Sequence, residues 1–107
     1  MGAIGMVSGT IDKGFVGEIR TLSISARIEI RPNRSKDRDV QPDFRIWSNE
    51  VDVGAGWIRV GRTSGEAYVS IALEAPEFGQ RRLYANLGRA AGQGSDDCYA
   101  IIWNPMD

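Results

Sequence analysis

The chain has 107 residues, of which 42% are hydrophobic and 25% charged, the length and composition of one globular domain. Its 13 basic and 14 acidic residues leave a net charge of −1, which excludes a globally basic nucleic-acid coat but not a local basic patch. The sequence has no histidine and one cysteine, Cys98, which excludes an internal disulfide and the usual zinc sites. We therefore expect a single domain over residues 1–107, in the reducing cytoplasm and with no cofactor, metal or membrane span.

A hairpin is predicted at the start of the chain. Asp12-Lys13-Gly14 is a turn signal that separates residues 4–10 from residues 15–21, so these two segments should pair as antiparallel strands. In the second segment Phe15 and Ile19 fall on one face, together with the glycine between them.

The clearest pattern is strict alternation of apolar and polar residues over residues 22–31. One face carries Leu22, Ile24, Ala26, Ile28 and Ile30, and the other carries Ser23, Ser25, Arg27, Glu29 and Arg31. A period of two over ten residues predicts one long strand with one buried face. The preceding segment alternates in the opposite phase, which predicts a bulge or a sharp bend near Thr21 and Leu22.

The middle of the chain begins with a segment of a different kind. Residues 32–42 are dense in charge and bounded by prolines, and they predict an exposed loop. A strand resumes over residues 44–48. Apolar residues then alternate with Asp52 and Gly54 on the way to Trp57, at positions Val51, Val53 and Ala55.

The second half predicts another hairpin and two further strands. Residues 57–62 and 67–73 flank a Gly-containing turn, and Val69, Ile71 and Leu73 form the inner face of the later strand. Strands follow over residues 82–87 and 98–103, on either side of a Gly-rich turn over residues 88–97. No segment has helical periodicity over ten or more residues. The expected fold is all-β, a small antiparallel barrel or sandwich of seven to eight short strands.

Seven short segments occur in a characteristic order along the chain, at residues 4–5, 14–22, 42–46, 53–57, 68–73, 84–87 and 101–103. This ordered set resembles the small bacterial proteins catalogued as domain of unknown function 736. The resemblance implies no activity. Members of the family are often encoded near plasmid-transfer genes, so the resemblance also implies an association with mobile DNA. One departure from the family pattern is Gly56, which stands where alanine is expected.

Catalytic machinery is not evident in the sequence. Without histidine, Ser/His/Asp and Cys/His nucleophilic sites are excluded, and no phosphate-binding loop of the G-x-x-x-x-G-K-[ST] type occurs. Asp96 and Asp97 are adjacent, but successive residues of a strand point apart, so they are a poor catalytic pair. Cys98 is expected to be a small core residue. We therefore expect no enzyme and no small-molecule substrate.

Arginine is the most informative residue type, since 11 of the 13 basic residues are Arg. Arg27 and Arg31 project from the polar face of the long strand, Arg20 precedes it, and Arg45 is placed to join them. With Arg34, Lys36 and Arg38 in the loop, they would make one edge of the domain basic. Small β-barrels bind single-stranded nucleic acid through such grooves when exposed aromatic rings accompany them. The candidate rings are Tyr68, Tyr84 and Tyr99.

A simpler interpretation of the arginines stands beside this one, and the tryptophans also allow two interpretations. Glu29 lies between Arg27 and Arg31, and Asp37 and Asp39 interleave with the basic residues of the loop, a pattern typical of a solvated, salt-bridged surface. The three tryptophans, Trp47, Trp57 and Trp103, are expected as core or rim anchors, with a partner hot spot as the alternative.

Two functional hypotheses from different classes follow. The first is a non-enzymatic protein-interaction or adaptor domain that binds a protein partner or associates with itself through strand edges. The second is an accessory nucleic-acid-binding protein, backbone-directed and linked to mobile DNA, whose affinity would fall steeply with salt. Its binding residues would be Arg20, Arg27, Arg31, Arg45, Tyr68 and Tyr84.

Overall fold

Eight antiparallel strands close into one small barrel. The computed structural model of the protein describes residues 3–34, 40–63, 65–89 and 98–104. Each strand pairs with the next in sequence, and the last pairs with the first. The strands are β1 (Ala3–Thr10), β2 (Gly14–Arg20), β3 (Ser25–Pro32), β4 (Phe44–Ser48), β5 (Val51–Val60), β6 (Ala67–Leu73), β7 (Leu83–Arg89) and β8 (Cys98–Trp103). The all-β prediction is confirmed, and of the two architectures considered the barrel is the one observed.

The first hairpin forms where the turn signal predicts it. Thr10 of β1 pairs with Gly14 of β2, and the Lys13 backbone N–H donates to Thr10 Oγ1 at 3.2 Å. Gly14 has φ +93°, a conformation that glycine adopts without steric cost. Phe15 and Ile19 both point into the barrel and are buried, as the alternation indicated.

The predicted long strand over residues 22–31 is wrong at its start. A tight turn separates β2 from β3, in which the Thr21 N–H donates to the Ile24 carbonyl at 2.8 Å. The Ile24 N–H donates in return to Thr21 Oγ1 at 3.1 Å. Leu22 lies at the tip of this turn and is 109% exposed. The change of phase near Thr21 therefore marks a chain reversal, because the hydroxyl satisfies a backbone donor that a continuous strand would pair with a neighbouring strand.

A two-residue turn and a bulge shape the β4–β5 hairpin. Asn49 and Glu50 have φ of 52° and 68°, the positive values that a type I′ hairpin turn requires. Ile46 pairs with Gly54 but the next residue, Trp47, pairs with Asp52, so Val53 is an extra residue. The bulge reverses the phase of β5. Consequently Val51, Val53 and Ala55 do not share one buried face, and Val51 is exposed.

The later strands follow the predicted pattern closely. The second hairpin pairs β5 with β6, and Val69, Ile71 and Leu73 point inward as predicted. β8 has the predicted bounds, whereas β7 runs to residue 89 and so includes Gly88. The remainder of the predicted Gly-rich turn, with Asp96 and Asp97, lies outside the described residues.

The largest core side chains are isoleucine and phenylalanine, and none of the three tryptophans is in the core. Its largest fully buried side chains are Phe44, Ile28, Ile30, Ile46, Ile71 and Ile101. The ring centroids of Phe15 and Phe44 lie 6.1 Å apart, and Tyr99 meets Phe15 edge-on at 5.4 Å. Tyr99 shares the inward face of β8 with Ile101, so the prediction of an exposed Tyr99 ring is wrong. Isoleucine fills this narrow interior because its branched side chain suits a pleated surface.

Cys98 is not a core residue, contrary to prediction. It pairs with outward-facing Ser8 and is half-buried on the outer wall of the barrel. Its neighbour along β8, Tyr99, takes the inward position, and adjacent residues of a strand point to opposite faces.

The closed barrel bears on the predicted association through strand edges. All eight described strands are paired on both sides, so none of them offers a free edge for strand addition.

Of the predicted loop over residues 32–42, Pro32 belongs to β3, and residues 35–39 lie outside the described residues. Asn33 ties the base of the loop together, because its side-chain amide donates to the Pro42 carbonyl at 2.9 Å. In the described ranges no helix has the length and apolar character needed to cross a membrane.

Candidate functional site

One outward-facing row of side chains crosses four neighbouring strands. Arg45 on β4 pairs with Ala55 on β5, Ala55 with Ala72 on β6, and Ala72 with Tyr84 on β7. Cross-strand partners lie on the same face of a sheet, so all four point away from the core. The two alanines are only 8% and 7% exposed although they face outward. Longer side chains around them therefore form walls above a floor of small residues.

Trp57, Arg59 and Tyr68 extend this surface along β5 and β6. Trp57 and Arg59 are two residues apart on β5 and share its outer face, and Arg59 pairs with Tyr68 across the strands. The Arg59 guanidinium lies over the Trp57 ring, 5.9 Å from the centroid, within the range of a cation–π interaction. We call this surface the aromatic–arginine face, made of Arg45, Trp57, Arg59, Tyr68, Arg82 and Tyr84.

A groove of about 600 Å³ runs over the alanine floor of this face. Arg45 and Asp52 stand on one side of it, with Arg45 Nη2 2.6 Å from Asp52 Oδ2. Glu74 and Arg82 stand on the other side as a second ion pair. The side-chain hydrogen bond with Tyr84 and the carboxylate of Glu74 raise the pKa of Arg82 above its ordinary value. Trp57 lines the groove as well, so the groove combines an aromatic wall with two arginines whose charges are neutralised by carboxylates.

The arginines predicted to form a basic edge are brought together only in part. Arg31 pairs with Arg45 across the strands and stacks over Trp47, 5.3 Å from the ring centroid, beside the aromatic–arginine face. Arg27 points outward on β3 beside Glu18, and Arg20 lies at the end of β2. Both are on the far side of the barrel from Tyr68 and Tyr84. Of the predicted binding residues, the structure thus sets Arg31 beside Arg45 and places Arg45, Tyr68 and Tyr84 on the aromatic–arginine face.

Carboxylates accompany most of these arginines. Arg20 lies 3.4 Å from Glu18, and Arg31 contacts Glu29 at 2.8 Å and Glu50 at 3.9 Å. Arg27 makes no ion pair with any described residue. The salt-bridged surface, the simpler of the interpretations drawn from the alternating charges, is therefore observed at these positions.

Arg59 and Arg82 are not among the residues predicted from the sequence, and Trp57 is predicted there as a core or rim anchor. The signal that identifies Arg59 is spacing, because Trp57 and Arg59 are two residues apart on β5 and therefore share one face of that strand. Arg82 lies just before β7 and is likewise two residues from Tyr84. Trp47 and Trp57 are half-buried on the outer wall, and Trp103 is exposed at the end of β8. None of the three is in the core, so the rim part of the prediction fits them, and the alternative of a partner hot spot stays a prediction.

Comparison with known proteins identifies the family but no function. A family model described as "Protein of unknown function (DUF736)" matches residues 3–106, nearly the whole chain. The sequence matches neither a curated protein nor a solved structure. The described residues also contain no group of three or more Cys, Asp or Glu side chains placed to hold a metal ion.

Proposed function

Because the chain belongs to the DUF736 family, which is defined without a known function, we propose from its own surface that it is a non-enzymatic protein-interaction domain. The barrel is the scaffold, and the aromatic–arginine face binds a protein partner. The proposal that it is not an enzyme rests on the sequence, which has no histidine and a single cysteine. A cytoplasmic location belongs to the same proposal, since the lone cysteine forms no internal disulfide.

The observation that carries the proposal is the stack of Arg59 on Trp57 beside Tyr68 and the alanine-floored groove. Trp, Tyr and Arg are the residues most enriched at energetic hot spots of protein interfaces. A stacked guanidinium keeps its N–H donors available while its rotamers are restricted, so it loses little entropy when a partner binds. The small floor residues give a partner side chain a recess beside the indole.

Charge favours a protein partner over nucleic acid. Phosphate binding needs cations that are free to replace condensed counterions. On the aromatic–arginine face Arg45 holds Asp52 and Arg82 holds Glu74, which leaves Arg59 as the cation that pairs with no described carboxylate. A single free cation supports little backbone-directed affinity. Self-association through strand edges is also disfavoured, because each described strand is paired on both sides.

Site-specific photo-crosslinking in the native host cell tests the proposal. A benzoylphenylalanine in place of Tyr68 should give one discrete protein adduct, whereas the same group in place of Leu22, on the exposed β2–β3 turn, should give none. Trp57→Ala and Arg59→Gln should each abolish the adduct while the barrel stays folded by circular dichroism, since both side chains lie on the outer wall. Removal of a hot-spot side chain typically costs about 2 kcal/mol or more, about 30-fold in affinity.

Binding to oligonucleotides is the result that would contradict the protein-interaction proposal. Fluorescence anisotropy with single- and double-stranded oligonucleotides at about 20 mM salt should show no binding. Binding that weakens with salt and is lost on Arg45→Gln would replace the proposal with the nucleic-acid hypothesis. A Tyr68 adduct that persists unchanged in the Trp57→Ala variant would also count against the aromatic–arginine face.

A further inference from the structure

The strand that carries the Trp57–Arg59 stack extends past its neighbour. β4 begins at Phe44, whose partner on β5 is Gly56, so residues 57–60 of β5 have no partner in the β4 ladder. On their other side these residues remain paired with β6. A two-stranded segment is only marginally stable and twists more than a strand paired on both sides. The stack therefore stands on a part of the wall that lacks one of its two ladders.

Pro42 is the reason that the β4 ladder stops here. Continued by two residues, the register of β4 and β5 would set Pro42 opposite Ile58. Proline has no N–H to donate to β5. The carbonyl oxygens of Pro42 and Asp43 accept hydrogen bonds from Asn33, at 2.9 Å from its side-chain amide and 2.8 Å from its backbone N–H. The Ile58 N–H therefore takes its acceptor from a side chain.

The half-buried carboxylate of Asp43 is that acceptor. Its Oδ2 lies 2.8 Å from the Ile58 nitrogen, and the Asp43 N–H donates to the Gly56 carbonyl at 2.9 Å. A hydrogen bond to a carboxylate is shorter and stronger than one between neutral groups. Ile58 lies between Trp57 and Arg59 on β5. This bond consequently fixes the β5 backbone between the two stacked side chains.

The bulge in β5, which also interrupts the β4–β5 ladder, is held in the same way. Asp52 Oδ1 accepts the Gly54 N–H at 3.2 Å across the extra residue, Val53, while Asp52 Oδ2 binds Arg45. An aspartate thus takes over from the ladder at each of these two interruptions. Of the two aspartates, Asp43 is the one that holds the segment carrying the stack.

We propose that Asp43 is a positioning residue of the aromatic–arginine face, which holds the Trp57–Arg59 stack in place through the Ile58 backbone. Its importance for partner binding rests on the proposed function, whereas its effect on the stack does not. Without the carboxylate, residues 57–60 are held by β6 alone, so the stack shifts relative to the groove. A partner would then have to order this segment when it binds, which lowers its affinity.

Two substitutions at position 43 separate the hydrogen bond from the rest of the residue. Asp43→Asn keeps an oxygen that accepts the Ile58 N–H, and Asp43→Ala removes it. Thr21→Val is the matched control, because it also removes a side-chain acceptor of a backbone N–H, that of Ile24, but on the β2–β3 turn. Circular dichroism confirms that each variant is folded.

Amide hydrogen exchange and tryptophan fluorescence measure the two steps of the proposal. In Asp43→Ala the Ile58 amide should exchange at least about 10-fold faster, as expected from the loss of one hydrogen bond to a charged group. Asp43→Asn and the control should keep the wild-type rate. With Trp47→Phe and Trp103→Phe in every chain, Trp57 is the remaining tryptophan. Acrylamide should then quench its fluorescence more strongly in Asp43→Ala than in any other variant.

Three results would overturn the proposal. They are an Ile58 exchange rate in Asp43→Ala equal to that of the wild type, faster exchange with unchanged quenching of Trp57, and equal changes in the Thr21→Val control. The Tyr68 photo-crosslink tests the consequence for binding, since Asp43→Ala should lower the yield of adduct several-fold and Asp43→Asn should retain it. An unchanged yield in Asp43→Ala also overturns the proposal. If the wild type itself gives no adduct, the proposed function fails, and exchange and quenching still decide what positions the stack.

Discussion

Gly17 and Gly56 both face the barrel interior, yet the structure predicts opposite responses to alanine. A Cβ on Gly17 would overlap the Met6 carbonyl oxygen and lie 2.6 Å from Val7 Cα, both backbone atoms of the neighbouring strand. A Cβ on Gly56 would lie 3.4 Å from Ile71 Cγ2 and from Phe44 Cβ, which is ordinary van der Waals contact. The first substitution therefore forces two strands apart, and the second fills space beside side chains.

The magnitudes follow from these contacts. Overpacking that displaces backbone costs about 1–3 kcal/mol. Separating β1 from β2 also weakens about two ladder hydrogen bonds, each worth roughly 1 kcal/mol. Gly17→Ala should therefore lower the free energy of unfolding by about 3–5 kcal/mol. Gly56→Ala restricts the unfolded chain without strain and should raise the free energy of unfolding by about 0.4–1 kcal/mol. Alanine is also the residue that the family resemblance predicts at position 56.

Urea unfolding measures both effects. Tryptophan fluorescence and circular dichroism should give coincident transitions with unchanged slope and a shifted midpoint. Gly17→Ser is a second variant that should behave like Gly17→Ala, because the overlap comes from Cβ itself. A Gly17→Ala protein as stable as the wild type would refute the close approach of β1 and β2. A Gly56→Ala protein destabilised by more than about 2 kcal/mol would refute the space beside Phe44.

Three further stability predictions use the same urea assay. Phe44→Ala should cost about 3–5 kcal/mol, because the ring is fully buried against Phe15, and a loss below about 1 kcal/mol would contradict the core described above. Thr21→Val should cost about 1 kcal/mol through loss of the hydroxyl that accepts the Ile24 N–H, while Leu22→Ala should change nothing; the reverse order would indicate a continuous strand through residue 22. Glu50→Gly should stabilise the protein by roughly 0.5–1 kcal/mol, since positive φ is strained for Glu, and destabilisation would contradict the type I′ turn.

Local features of the chain could be predicted from sequence because their causes are local. Alternation of apolar and polar residues identified β6 and most of β3, and β8 has the predicted bounds. Turn residues predicted the β1–β2 and β5–β6 hairpins, since glycine at these turns adopts backbone angles that other residues rarely adopt. The same alternation misled at Leu22, because a four-residue hydrogen-bonded turn can continue an alternating pattern without continuing the strand.

The candidate site was predicted only in part. Arg45, Tyr68 and Tyr84 were named from sequence and do share one face. Sequence did not show that Arg45 would be neutralised by Asp52, or that Arg82 would be neutralised by Glu74, because each pair meets only when a hairpin or a loop folds back. Whether the predicted edge is basic depends on all the charged side chains that lie along it. Some of these are carboxylates that are distant from the arginines in the sequence.

Sequence alone thus determined that this chain is a small all-β protein of the DUF736 family, with alternating strands and Gly-marked turns. The tertiary structure decided the rest. Closure into a barrel depends on the summed register of eight strand pairs, and no single segment encodes that sum. The bulge at Val53 reverses the phase of one strand, which determines that Trp57 and Arg59 face solvent. The aromatic–arginine face exists only because the register of β4 to β7 sets Arg45, the two floor alanines and Tyr84 in one row.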